Sequence, residues 1–190
     1  NHYNHDLNRD WVWQTQIETE QRLKVYHTWM PMIHVDFHEQ FYNSPYYFAP
    51  AAEPMHEAIT PFQRQFQEVI GKNNAKYFDQ NGWDYFTKEY FDLLYPSYGD
   101  TYPLYNGAIG MTYEQAGHSM GGVAITWGTG DTLTLKDRIA HHYTTGMSTI
   151  EVASQNQDVL TKSFKQYFDD TRTKGSGVYK TYVVDGSNPG

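Results

Sequence analysis

The stretch HVDFHEQ, residues 34 to 40, ends an apolar run with two histidines set among Asp36 and Glu39. Such groups are costly to bury unless something pairs with them. Either the stretch is a hydrated strand end, or His38 is a metal ligand whose ring a neighbouring group orients. Two further pieces carry polar chemistry of the same kind. In DLNRDW, residues 6 to 11, Asn8 and Arg9 stand side by side just before a helical pattern. A guanidinium held there is a fork suited to gripping a carboxylate through two hydrogen bonds. In GAIGMTYEQAG, residues 107 to 117, Glu114 closes a strand-like run. Beside a metal-bound water, a glutamate in that position is a general base. Taken singly, each piece has an ordinary role as well: a hydrogen-bonded histidine, a salt bridge at a helix start, a solvated glutamate.

Other motifs point to chemistry that their surroundings do not support. GHSMGG, residues 117 to 122, matches the G-x-S-x-G elbow, with Ser119 as nucleophile. That elbow needs an apolar strand before it and a helix after it. Here TYEQA precedes and VAITW with Gly128 and Gly130 follows, so a serine hydrolase is the weaker reading. HEQFY and HEAIT open like H-E-x-x-H, but their fifth residues are Tyr42 and Thr60, which removes the second zinc ligand. His141 and His142 are adjacent, so on a helix they point about 100° apart and do not share a metal readily. A solvated or capping role is expected for them.

The elements that must position these residues follow from periodicity. Apolar residues at helical spacing predict a helix over Trp13–Thr28, stopped by Pro31. Met32–Phe37 reads as a short buried strand with His38 at its end. Asn43–Pro54, with three prolines, reads as loop. Met55–Ala75 is amphipathic, and Asp84 is expected to cap a helix reaching Leu94. Pro96–Pro103 reads as a turn-rich loop and Leu104–Glu114 as a strand. A Gly-rich loop runs to Gly130, and Thr132–Phe168 reads as mostly helix, weakened or bent at Gly146. The tail from Val178 to Asp185 reads as the start of another strand. The alternation predicts an α/β fold with helices over a mixed, largely parallel sheet. In such sheets ligands collect beyond the carboxyl ends of strands, where His38 and Glu114 are expected.

Composition narrows the partners. Net charge is −8, without a Lys/Arg-rich block, which argues against a nucleic-acid groove. No apolar run approaches the ~20 residues of a membrane span. Without cysteine, thiolate zinc sites, disulfides and Cys nucleophiles are excluded. Tyrosines crowd FYNSPYYFAP and LLYPSYGDTYPLYNG. An apolar ring with a polar tip suits a cleft wall, although packing loops onto a core explains them equally well.

DLNRDW, DFHEQ with its following Tyr-Phe-Ala-Pro loop, and GAIGMTYEQAG, in this order and spacing, resemble the zinc carboxypeptidases of the M14 metallopeptidase family, especially bacterial members. The resemblance spans about residues 3 to 168. It implies the zinc-carboxypeptidase α/β fold, one zinc ion, and a peptide or protein C-terminus as substrate. By that resemblance His38 matches the third zinc ligand, Asn8 and Arg9 the pair that binds the terminal carboxylate, and Glu114 the general base. Tyr95 and Tyr98 are candidates for the family's mobile-loop tyrosine, and the pocket-defining residue falls near Gly99 or Asp100. The chain departs from the family pattern in one respect: no H-x-x-E, the motif of the first two zinc ligands, occurs in these residues. The upstream arginine that polarises the scissile carbonyl is also missing. The resemblance therefore implies that residues 1–174 are the C-terminal portion of a carboxypeptidase catalytic domain, inactive as it stands. Residues 175–190 would be a linker or the start of a following domain. A secreted or periplasmic location follows from the family's habit. The competing class is a binding module that grips a peptide or glycan without chemistry.

Overall fold

The computed structural model describes residues 3–118, 124–173, 178, 179, 181 and 183. A 3-10 turn at Leu7–Arg9 leads into α1 (Ile17–Trp29), β1 (Ile33–Gln40), β2 (Tyr46–Tyr47), β3 (Ala52–Met55) and α2 (Pro61–Asn81). Then come β4 (Tyr85–Phe86), β5 (Asp92–Leu93), α3 (Thr101–Leu104), β6 (Ile109–Ala116), β7 (Ala124–Thr126), β8 (Thr132–Thr134), α4 (Leu135–Gln155) and α5 (Gln157–Thr173). The main sheet has the order β1-β6-β2-β4. β1 and β6 run parallel through eight register pairs, β2 is antiparallel to β6, and β4 is parallel to β2. The architecture is α/β with a mixed sheet, as the alternation predicts.

The two faces of β6 have different tasks. Ile109, Met111 and Tyr113 point into the main core with Phe66, Ile70 and Phe78 of α2 and Val152 of α4. Tyr113 shares a hydrogen bond with Thr149 of α4 at 2.6 Å, and Gln115 meets His141 on the same helix. Because strand side chains alternate, Gly110, Thr112 and Glu114 look the other way, as do their register partners His34, Asp36 and His38 of β1. On that side the segment 97–101 lies directly on the strand. A Cβ on Gly110 would fall 1.9 Å from the carbonyl oxygen of Asp100, so only glycine permits the approach. All eight residues of β6 are buried, as expected of a strand covered on both faces.

Local chemistry explains the boundaries that periodicity misplaces. α2 starts at Pro61, six residues later than expected, because Thr60 and Gln63 form a reciprocal capping box with Pro61 at the first helical position. It runs past Ala75 to Gly82, which closes it in a left-handed conformation. α1 starts at Ile17, not Trp13, because the buried Asp10 carboxylate accepts from the backbone of Thr15 and Gln16 and holds residues 10–16 in turns. The expected helix over Asp84–Leu94 is absent. Asp84 offers its carbonyl to Tyr46 of β2, and Phe86 and Phe91 pack on the Tyr47 ring. β4 thereby pairs with β2 in the main sheet, and β5 pairs with β3 in a separate two-stranded sheet. Asn43–Pro54 is likewise no surface loop, since Tyr46 to Ala49 are buried in or beside the core. Residues 101–104 form α3, and the next strand begins at Ile109 rather than Leu104. The long C-terminal helix is two helices preceded by a hairpin strand. Its break lies at Asn156 rather than Gly146, which passes through α4 unbroken. Ser119 and most of the expected strand after Val178 lie outside the described residues.

Candidate functional site

His38 and Glu114 are register partners on adjacent parallel strands. Parallel pairing places their side chains side by side on one sheet face. Both lie two residues inside their strands, since β1 extends to Gln40 and β6 to Ala116. The sequence places both residues at the carboxyl ends of their strands, and each strand continues two residues further. Asp36, two residues before His38 and therefore on the same face, brings Oδ2 to 2.7 Å from His38 Nε2. Asn8 approaches from the 3-10 turn, with Nδ2 3.1 Å from that same nitrogen. One nitrogen cannot both donate to a carboxylate and accept from an amide. The charge-assisted bond to Asp36 is the stronger, so Nε2 carries the proton and donates to Asp36. That leaves Nδ1 as the nitrogen available to a metal, in the carboxylate–imidazole arrangement that fixes ring and tautomer in metal sites.

Asn8 is fixed independently, because its Oδ1 accepts from the backbone N–H of Gly99 at 2.6 Å. The N-terminal turn is thereby tied to segment 97–101. Arg9 is exposed and stacks its guanidinium over the Tyr98 ring at 4.5 Å, within 3.4 Å of Asp6. Tyr95 packs against Tyr98 at 4.9 Å between ring centres, and its hydroxyl accepts from Trp13 Nε1 at 2.8 Å. Ser97 donates to the carbonyl of Arg9 at 2.9 Å. Asn8, Arg9, Tyr95 and Tyr98 thus form one linked wall, and Asn8 joins that wall to His38.

The electrostatics of this face are unusual for a surface. Glu114 is buried, and burial pushes its carboxyl up to about 7, with nearby Asp36 and Asp100 adding to the rise and His38 opposing it. Asp100 is also buried and raised to about 6, mainly by desolvation, although Thr112 donates to it at 2.9 Å. The hydrogen bond to Asp36 raises the imidazole of His38, against the opposing effect of its own burial. A carboxyl titrating near neutrality beside an imidazole held by a second carboxylate is the arrangement acid–base chemistry uses. Asp36 and Thr112, which the motifs do not assign, belong to this site with Asp100, which the resemblance places only near the pocket-defining position. The signal for Asp36 is the D-x-H spacing on a strand.

His141 and His142 serve the opposite face. His141 Nδ1 donates to Gln115 Oε1 at 2.8 Å, and burial lowers the ring to about 4. The Tyr46 hydroxyl meets His142 Nδ1 at 2.7 Å, and burial lowers that ring as well. They are packed against the core rather than solvated or capping.

No family model, curated protein or solved structure matches this chain. Among the described residues, no group of three or more His, Asp or Glu side chains is placed to hold a metal ion. Catalytic zinc takes three protein ligands. The donor chemistry here fits one corner of such a site, the Nδ1 of His38, and does not fit a whole one.

Proposed function

We propose that this chain carries the substrate-binding and proton-transfer half of a zinc metallocarboxypeptidase of the M14 type. The observation that supports the reading best is the pairing of His38 with Glu114 in register, with Asn8 against the same imidazole. Three motifs far apart in sequence are neighbours in the fold: Asn8 lies against His38, and His38 is in register with Glu114. In this reading the zinc belongs to the full-length protein, with His38 as one ligand and the others supplied from outside these residues. Once bound, it would supply the acidified water and the polarised carbonyl of peptide hydrolysis.

The chain's own residues then have defined tasks. Glu114 takes a proton from the attacking water and returns it to the leaving amine, for which a pKa near 7 suits both directions. Asn8 and Arg9 hold the substrate's terminal carboxylate, and Tyr98, stacked on the guanidinium, sets the plane in which Arg9 presents its donors. Asp36 holds the His38 ring. Burial takes the Glu114 and Asp100 carboxyls out of bulk water, which strengthens the electrostatic interactions those two groups make. The location proposed with this reading is secreted or periplasmic. No helix among the described residues is long and apolar enough to cross a membrane.

The test is substrate choice. A chain extended upstream through an H-x-x-E motif should release the last residue of a peptide with a free α-carboxylate. It should leave the same peptide untouched when the C-terminus is amidated. Arg9→Ala should raise KM for the free peptide far more than it lowers kcat. Equal cleavage of both peptides, or internal cleavage, would reject the assignment.

A further inference from the structure

Behind the turn that carries Asn8 and Arg9 lies a cation to which no motif assigns a task. Arg22, on α1, is half-buried, and its guanidinium lies over the Trp11 ring at 4.0 Å. Its Nη2 donates to the Leu7 carbonyl at 3.2 Å. That carbonyl belongs to the peptide joining Leu7 to Asn8, and the N–H of the same peptide donates to Asp6 Oδ1 at 2.8 Å. The peptide is therefore held from both sides, by a guanidinium at its oxygen and a carboxylate at its nitrogen. Both bonds are charge-assisted and belong to the stronger class. Fixing this peptide fixes the direction in which Asn8 leaves the backbone.

Trp11 connects this hold to the other one on Asn8. Trp11 is buried, and Gly99, whose N–H donates to Asn8 Oδ1, is wedged between it and Asp36. A Cβ on Gly99 would lie 2.2 Å from Asp36 Oδ2 and 3.1 Å from Trp11 Nε1. Asn8 is thus gripped at its backbone through Arg22 and at its side chain through Gly99, and Trp11 lies against both holders.

Packing alone does not account for an arginine here. Its Nε is buried with no partner among the described residues, which is destabilising. A methionine would cover Trp11 without an unpaired donor. What arginine adds is a charged donor at the Leu7 carbonyl, in a place where the charges of Asp36 and Asp10 favour a cation.

We infer that Arg22 is a positioning residue for the terminal-carboxylate grip: it fixes the Leu7–Asn8 peptide, and through it the approach of Asn8 to His38 and the placement of Arg9 beside it. It acts through the turn and not on the substrate. The inference rests on the carboxypeptidase reading for what the turn binds, and on the hydrogen bonds alone for what holds the turn.

The test is NMR on the 190-residue chain. Arg22→Met keeps the length and removes the charged donor, and Arg22→Lys restores a charge and a donor. The contact to read is the one between the Asn8 side-chain amide and the His38 ring, whose nitrogens are 3.1 Å apart. It should weaken at least about twofold in Arg22→Met and return most of the way in Arg22→Lys. The His141 ring, on the opposite face of the sheet, should keep its parent shifts in both variants, which separates a local effect from general loosening. Titrated with N-acetylphenylalanine and with its amide, the parent should prefer the acid, and Arg22→Met should bind the acid on the order of tenfold more weakly, the loss of about one charge-assisted hydrogen bond. An unchanged Asn8–His38 contact in folded Arg22→Met would overturn the inference, as would equal loss in Arg22→Met and Arg22→Lys. Should Arg22→Met fail to fold, the parent decides: guanidinium protons of Arg22 that exchange as fast as those of a fully exposed arginine would overturn it, and slow exchange would support it. A parent that binds acid and amide alike would reject the carboxylate reading, and with it the purpose given to Arg22. The Asn8–His38 contact tests the hold on the turn without any ligand, so the two failures are distinguishable.

Discussion

His38 and Glu114 face the same side of two parallel strands as register partners, and Asp36 holds the His38 ring from two residues away. The imidazole is therefore oriented by one carboxylate and lies beside a second whose proton is held near neutrality.

Asp36→Asn should free the His38 ring. Loss of the charge-assisted bond removes the largest contribution raising the imidazole, so an NMR titration should show its pKa falling. In a zinc-loaded extended chain, metal affinity should drop by about 10- to 100-fold, the usual consequence of losing such a partner. An unchanged His38 titration would mean that Asp36 does not hold the ring.

Glu114 should limit stability on the alkaline side. Its folded pKa, about 7, is above its ordinary value of 4.5. Its contribution is therefore fully present below pH 4.5 and is lost as pH rises through 7. The cost of ionising it approaches about 3 kcal/mol. Glu114→Gln should accordingly be more stable than the parent in urea at pH 8 to 9, with the advantage vanishing near pH 4. Equal stability at both pH values would place Glu114 in contact with water.

His141 should resist protonation. Burial lowers it to about 4, so folded stability linked to this ring is present above its ordinary pKa of 6.5 and lost as pH falls through 4. Its ring resonances should stay at their neutral positions down to about pH 5, where an exposed histidine is already charged.

Gly110→Ala tests whether segment 97–101 must lie against β6. The added Cβ would meet the Asp100 carbonyl at 1.9 Å, a backbone contact that cannot rotate away. Overpacking of this kind costs about 1 to 3 kcal/mol. The displaced segment should also release Asn8, whose Oδ1 accepts from Gly99. Urea denaturation reads the first effect, and the Asn8 side-chain amide shifts read the second.

The parts of this molecule legible in its sequence are those set by periodicity and by motif. Runs of apolar residues marked β1, β6, α2 and α4, and the residue types of Asn8, His38 and Glu114 singled them out before any contact was visible. What could not be read was set by tertiary pairing. The YF of β4 and the DL of β5 are helix-compatible until Phe86 packs on Tyr47 and Leu93 joins Ala51, Ile59 and Leu104 beside β3. The resemblance puts Asp100 near a pocket-defining position, but its burial follows only once segment 97–101 is laid on Gly110. Asp36 becomes part of the site only when a strand places residues two apart on one face. The capping box at Thr60 and Gln63 was present in the sequence, and it fixes the start of α2 better than the hydrophobic pattern does.

The most direct measurement is zinc content alongside peptidase turnover, made on the 190-residue chain and on a chain extended upstream through an H-x-x-E motif. The account predicts that the short chain holds zinc weakly and is inactive, and that the extended chain holds one zinc and releases C-terminal residues. In the extended chain, Glu114→Gln should keep the zinc and lose turnover by about 100-fold or more, and His38→Ala should lose the metal. Tight one-to-one zinc in the short chain, or full turnover in Glu114→Gln, would contradict it.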